Sequence, residues 1–223
     1  MKLSESTLSV LKNFALINPN IVLPVGKTIR TLSQARNVFG VATIDEELPV
    51  QVPIYDLTSF LQSITLFENA ELMFGTAAVT IASDAGEITY FYSDPSVVEA
   101  APDKEIKLDS TLFNFSLSAN DVNSIMRVAA ALSAPMISFV SDGPDVRLTV
   151  SDRKVPNSNS FTRKLGKVDK QEFDFIIRVD NFKLLPTDYT GQLSKKGETG
   201  VVKLMSTDNK LTYFITVEKG SKI

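Results

Sequence analysis

The chain is constrained most by the fact that it repeats itself. Leu3-Ser4, Leu8, Leu11, Phe14 and Ala15 correspond to Leu117-Ser118, Val122, Ile125, Val128 and Ala129 at a constant offset of 114 residues. In each set the apolar positions recur with the period of a helix packed on one face, and the serine ahead of them is a helix-capping residue. A second capping position, Asp56 ahead of Leu57, Phe60, Leu61 and Ile64, corresponds to Asp180 ahead of Phe182, Leu184 and Leu185 at an offset of 124. Between the helices lie short runs of strand character punctuated by Gly and Pro. The pattern predicts an α+β chain of two similar units, each with two helices and several antiparallel strands.

In the first copy, strands are predicted at Ile21–Leu23, Lys27–Leu32, Val38–Ile44, Glu71–Phe74, Ala78–Ala82 and Glu87–Tyr92, with Glu46-Glu47 in a loop. The first helix should turn Leu8, Leu11, Phe14 and Ala15 inward and Glu5, Ser9, Lys12 and Asn13 outward. In the second copy, strands are predicted at Thr111–Ser116, Pro135–Val140, Val146–Val150, Phe161–Leu165, Glu172–Arg178, Gly191–Leu193, Gly200–Met205 and Leu211–Val217. A helix follows Ser118, and a short one opens at Asp180 and ends at Pro186. Ser93-Asp94-Pro95 through Ala101-Pro102-Asp103-Lys104 is rich in Pro, Ala and charge, and reads as a linker. The expected organisation is a first domain at 1–93, a linker at 94–110 and a second domain at 111–223.

Composition removes most chemistries. Cysteine and histidine are both absent, which excludes disulfides, thiolate nucleophiles, histidine triads, zinc sites with these ligands and haem ligation by either residue. No run of 18 apolar residues spans a bilayer, and Met1 to Thr7 carries no secretory stretch. The chain is therefore expected to be soluble and intracellular, with no cofactor, no metal and no common enzymatic activity. Gly26-Lys27-Thr28 resembles the end of a phosphate-binding loop, but Ile21 stands where the loop needs glycine and a strand follows instead of a helix. Asp142-Gly143-Pro144-Asp145 is a turn, since Val146 and Leu148 follow where a calcium loop needs oxygen ligands.

Charge is uneven. Residues 1–110 carry 7 cations and 14 carboxylates, a net of −7, and residues 111–223 carry 16 and 12, a net of +4. The densest basic stretch is Arg153, Lys154, Arg163, Lys164, Lys167 and Lys170. The helices differ from it: their polar faces hold small neutral side chains and single cations, Lys12, Arg127 and Lys183. Sparse cations among Ser and Asn touch a phosphate backbone without gripping it, which suits contact independent of base sequence. Lys2 is a further candidate for the same surface.

Met1-Lys2-Leu3-Ser4, Leu11-Lys12-Asn13-Phe14-Ala15, Ile17-Asn18, Ile54-Tyr55-Asp56-Leu57, Phe60-Leu61, Ala101-Pro102, Leu132 and Phe173-Asp174-Phe175-Ile176-Ile177 form a collinear set. The set spans essentially the whole chain and resembles the DNA polymerase sliding clamps of T-even-type bacteriophages. The resemblance implies a clamp fold akin to the proliferating cell nuclear antigen: a homotrimeric ring with helices lining the hole and antiparallel sheets outside. It implies duplex DNA, the replicative DNA polymerase and an ATP-dependent clamp loader as partners. It also implies late-transcription factors acting with the host RNA polymerase, in the cytoplasm of the infected bacterium.

By the same resemblance, partners insert an apolar peptide beside the linker, with Leu32, Val38, Val97, Val98 and Pro102 as the expected lining. Subunits meet through edge strands, expected to be Glu87–Tyr92 and the strand near Phe161–Leu165. There Tyr90 and Tyr92 face Phe161, and Arg163 and Lys164 face acidic groups such as Glu71, Asp84 or Glu87. Two other readings stay open at this point: a duplicated α+β structural virion protein, and a small hydrolase working with Asp or Ser alone.

Overall fold

The computed structural model describes residues 1–169 and 171–223, so Lys170 of the basic stretch lies outside the described residues. The chain forms two compact units, Met1–Lys104 and Glu105–Ile223. In the first, Ser4 caps helix α1 (Glu5–Ile17) by accepting the Thr7 backbone N–H. Strand β1 (Ile21–Leu23) pairs with β4 (Val52–Ile54), and β2 (Gly26–Leu32) pairs with β3 (Val38–Leu48). Helix α2 (Leu57–Thr65) is capped by Asp56, which accepts the Ser59 N–H, and it buries Leu57, Phe60, Leu61 and Ile64 as the periodicity requires. A meander follows, β5 (Glu71–Phe74), β6 (Ala78–Ser83) and β7 (Gly86–Phe91), with β7 at its edge.

Two features of α1 differ from the sequence reading. Its buried residues are Thr7, Leu11, Asn13, Phe14 and Ile17, so the inward stripe is rotated from the one predicted and Asn13 is inside. The cause is Glu46, which lies within β3 and not in a loop. Its carboxylate accepts from the Ser4 backbone N–H and from the Thr7 hydroxyl, which draws the Thr7 side of the helix onto the strand. Burial pushes the Glu46 pKa up, but the hydrogen bonds from Thr7 and Ser4 outweigh it and hold the carboxyl below its ordinary value.

That shift carries a sign. A carboxyl lowered on folding adds stability above its unfolded value, about 4.5, and the gain is lost as pH falls through the folded value. The urea midpoint of the parent should therefore fall between pH 5 and pH 3 more steeply than that of Glu46→Gln. Parallel midpoints for the two proteins over this interval would refute the anchoring role.

The second unit opens with β8 (Ser110–Leu117) and helix α3 (Ala119–Ala131). Ser118 and Asp121 form a reciprocal capping box, the side chain of each accepting the backbone N–H of the other. α3 has the same 13-residue length as α1 and buries Val122, Ile125 and Ala129. Strands β9 (Met136–Ser141), β10 (Asp145–Ser151), β11 (Ser160–Lys167) and β12 (Phe173–Arg178) make one sheet in the order β11-β10-β9-β12. Strands β13 (Tyr189–Lys196), β14 (Thr199–Ser206) and β15 (Leu211–Thr216) continue from β8 in the order β8-β13-β14-β15. Between the sheets, the rings of Phe113, Phe115, Phe139, Phe173 and Phe175 pack with successive centroids 5.2–6.4 Å apart.

The short helix expected from Asp180 to Pro186 is absent. A single 3-10 turn, Val179–Asn181, stands in its place, followed by irregular chain. Phe182 and Leu184 are buried as expected, but the backbone is claimed by other partners. The Tyr213 hydroxyl accepts the Leu185 N–H at 3.3 Å, and the Tyr189 hydroxyl donates to the Leu185 carbonyl at 2.6 Å. Burial pushes both phenols far above their ordinary pKa, so both stay protonated for this role. Pro186 also disfavours helical geometry at Leu185, leaving too few residues to nucleate a stable turn.

Candidate nucleic-acid interface

The three helices share one surface character. α1 exposes Glu5, Ser9, Lys12 and Leu16, the stripe opposite its buried face. α2 has no charged residue, and it exposes Thr58, Gln62, Thr65 and, at its end, Leu66. α3 exposes Asn120, Asn123, Arg127, Ala130 and Ala131. The one carboxylate inside α3, Asp121, is occupied by its cap and by Arg163 of β11. The hydrogen bond from Arg163, opposed by partial burial and joined by those from Ser118, holds the Asp121 carboxyl below the usual range. Among the described residues Lys12 makes no ion pair, and Arg127 donates within its own helix to the Ser124 hydroxyl at 3.4 Å. Each therefore presents a cation among mainly small neutral side chains, with Glu5 at the start of the α1 stripe.

The other two predicted cations sit differently. Lys183 is exposed on the irregular chain after the 3-10 turn, so it does not belong to a helix face. Lys2 lies 4.0 Å from Glu71, beside an open groove of about 710 Å³ whose lining also carries Glu68 and Asp84. That lining is acidic on balance, and it suits a phosphate poorly. Part of the basic stretch of the second unit, and Arg147 beside it, is likewise paired within its own unit. Arg147 pairs with Asp142, Lys164 with Asp145 at 2.8 Å, and Arg153 with Asp174 at 2.6 Å.

Around the linker, Val98 and Val38 are buried, Leu32 is half-buried, and Val97 and Pro102 are exposed. Leu32 and Val38 do not share a face. Strand alternation places Val38 with Gly40 and Ala42 against α1, whereas Leu32 pairs with Phe39 and lies on the side of Arg30. Arg30 holds Asp103 at 2.8 Å, and Arg36 pairs with Glu99, so two ion pairs fasten the linker to the β2–β3 hairpin.

The predicted junction residues occupy two sheet edges. β7 closes the β5-β6-β7 sheet and β11 closes the β11-β10-β9-β12 sheet, each with one unpaired side among the described strands. Tyr90 turns inward, its ring 5.0 Å from Phe60 in an edge-to-face contact and its hydroxyl donating to the Asp56 carbonyl. The Tyr92 hydroxyl donates to the Gly75 carbonyl. Phe161 and Arg163 are half-buried on the core side of β11, while Lys164 is exposed. The residue that the sequence reading passed over is Phe91, 72% exposed on the outer face of β7. Its signal is the period of two in β7: Ile88 commits 88, 90 and 92 to the core, which leaves 87, 89 and 91 outside. Among the described residues no group of three or more carboxylates is placed to hold a metal ion, and no helix is long and apolar enough to cross a membrane.

Comparison with known proteins bears on this arrangement. Residues 114–219 match the family model described as gp45 sliding clamp, C terminal. The chain is 30% identical to the sliding clamp of Vibrio phage KVP40, over 98% of this chain and 99% of that one. It is 31% identical to the sliding clamp of Enterobacteria phage T4, over 91% of each. Among solved structures, A. fulgidus PCNA with the C-terminal region of FEN-1 bound superposes with a TM-score of 0.69 at 12% identity, covering 100% of this chain and 97% of that one. The proliferating cell nuclear antigen of Entamoeba histolytica gives 0.67 at 14% identity, covering 95% and 94%.

Proposed function

We propose a function from one premise, that this chain belongs to the gp45 sliding-clamp family of T4-type phages. It is a DNA sliding clamp with the two-domain clamp fold, a replication processivity factor and not an enzyme. The finer reading is a homotrimeric ring that an ATP-dependent loader closes around duplex DNA in the cytoplasm of the infected host. There it tethers the replicative DNA polymerase and serves late transcription.

The observation that carries this reading is the character of the helix faces, mostly small and neutral, with Lys12 and Arg127 as their cations and Glu5 as the exposed carboxylate. With −3 per chain, three chains carry −9, so the protein as a whole is repelled by DNA. Retention must then come from topology, and a few cations offset the repulsion locally without fixing the duplex in one register. Lys183 joins them as an exposed cation beyond the helices, and Lys2 contributes least because Glu71 already faces it. Partner peptides are placed on the outer face of the β2–β3 hairpin, where Leu32, Val97 and Pro102 remain accessible and the fastened linker supplies an edge. The A. fulgidus neighbour holds the C-terminal region of FEN-1, a precedent for a protein of this fold binding a partner segment.

The test is retention on DNA after loading by the phage loader and ATP. The parent should stay on nicked circular DNA through gel filtration and be lost once the circle is cut. Lys12→Ala/Arg127→Ala should load several-fold less while sedimenting like the parent. Equal retention on circular and linear DNA would overturn the clamp reading, and parental loading by the double variant would overturn the assignment of the two cations.

A further inference from the structure

Each unit carries the chain back along its long helix, but with different lengths of chain. In the first, the Pro19 carbonyl just beyond α1 accepts the Leu57 N–H, and Leu72 pairs with Met1 ahead of α1, fifteen residues later. In the second, the Pro135 carbonyl just beyond α3 accepts the Val179 N–H, and the Asp188 carboxylate accepts the Ala119 N–H at the start of α3, nine residues later. The first route has room for helix α2, and the second does not. The 13 residues of α3 rise about 20 Å, whereas nine residues wound as a helix rise only about 14 Å. Fully extended, nine residues reach about 30 Å, so 179–188 crosses the distance as a strap with slack to spare.

The strap carries one cation in a definite place. Phe182 and Leu184 are buried and Lys183 between them is exposed, the alternation of extended chain. Lys183 therefore points away from the core, as Arg127 does from α3. It stands midway between the anchors at Val179 and Asp188, as Arg127 stands midway between Pro135 and Ala119. Because the anchors join the two runs end to end, the two cations lie at one level. The carboxylates of the strap have other partners, Asp180 facing Arg178 at 3.5 Å and Asp188 holding the start of α3. The first unit has no such pair, since α2 carries no charge and Lys12 shares its stripe with Glu5.

Slack would let Lys183 wander, and it is taken up at Leu185. The Leu185 N–H donates to the Tyr213 hydroxyl at 3.3 Å, and its carbonyl accepts from the Tyr189 hydroxyl at 2.6 Å. The two hydroxyls are also hydrogen-bonded to each other, which closes a ring of three hydrogen bonds. Both phenols are buried, on β13 and β15, with ring centroids 6.1 Å apart. On the other side of Lys183, the Phe182 N–H donates to the Val179 carbonyl. We infer that Tyr189 and Tyr213 are positioning residues: by holding both polar groups of Leu185 they keep the strap taut and set Lys183 level with Arg127, so that the second unit meets the DNA phosphates with two cations together. This inference rests on the clamp reading above, and it gives two buried side chains a part in how the duplex is met.

The test is loading onto nicked circular DNA by the phage loader and ATP, over a range of salt concentrations. Lys183→Ala should load roughly threefold less than the parent at physiological salt, with a log–log salt dependence shallower by about one. Tyr213→Phe keeps the ring, loses only the hydroxyl, and should reproduce most of both changes. The double variant should load like Lys183→Ala alone, because a hydroxyl that acts through Lys183 has nothing left to position. Tyr189→Phe repeats the comparison from the other side of Leu185. In the parent, the Leu185 amide should exchange with solvent as slowly as the amides of β13, although it lies in irregular chain. Rapid exchange there, losses that multiply in the double variant, or parental loading and salt dependence in both phenylalanine variants would overturn the positioning role. Parental loading by Lys183→Ala would overturn the placement of Lys183 toward DNA. Equal retention of the parent on circular and linear DNA would instead overturn the clamp reading on which the inference stands.

Discussion

Phe14→Ala should cost about 3–5 kcal/mol, the range for deleting a fully buried aromatic side chain when the surroundings do not collapse around the gap. Phe14 is 0% exposed and pins α1 to the β2–β3 hairpin. The site is tight on the strand side as well. A Cβ added at Gly40 would lie 3.1 Å from the Phe14 ring and 3.0 Å from the Thr31 methyl, so glycine there is what lets the ring approach the sheet. The loss is comparable with the total stability of many domains, about 5–15 kcal/mol, and the first unit should unfold well before the second in urea. Phe14→Leu leaves a smaller gap that Gly40→Ala partly fills, so the double variant should be more stable than the sum of the two single losses. A cost below about 1 kcal/mol for Phe14→Ala would show that α1 is held chiefly by its cap and by Glu46.

Gly191→Val should be the most damaging single substitution in the second unit. Gly191 pairs directly with Phe115 across β13 and β8, and a Cβ there would stand 2.3 Å from the Phe115 ring. The ring cannot step aside, because Phe113 stacks on it at 6.3 Å and Phe139 lies 5.2 Å away on another strand. Overpacking of this kind costs about 1–3 kcal/mol and occasionally more, and a β-branched residue lies at the upper end because three heavy atoms must be accommodated. Thermal unfolding is the measurement. Gly191→Val combined with Phe115→Ala should recover part of the loss, and no recovery would mean that the damage lies in the strand backbone.

What could be read in the sequence was what is encoded locally. The two 13-residue helices with serine caps lie 114 residues apart, because a capping side chain and a period of 3.6 are short-range signals. The second repeat signal, at an offset of 124, was half true. Phe182 and Leu184 are buried as a helix would bury them, but Tyr189 and Tyr213 take the backbone of Leu185, and that competition is invisible in the segment itself. The stripe on α1 was misplaced for the same reason, since Glu46 reaches Thr7 from 39 residues away. Facing was the third difficulty. Leu32 and Val38 read as neighbours in an apolar hairpin, yet the register of β2 and β3 sends them to opposite sides. In β7, two tyrosines drew notice where alternation leaves Phe91 exposed.

The carboxylate of Asp121 closes the capping box of α3 and also receives Arg163 from the edge strand β11. Edge and helix start are thereby hinged on a single side chain. A load that peels β11 outward meets this contact before it reaches the phenylalanine core, and it is delivered to the Ser118 end of the helix that presents Arg127. The edge strand and the start of that helix are coupled through this one contact. Its stiffness is set by an ion pair that salt softens.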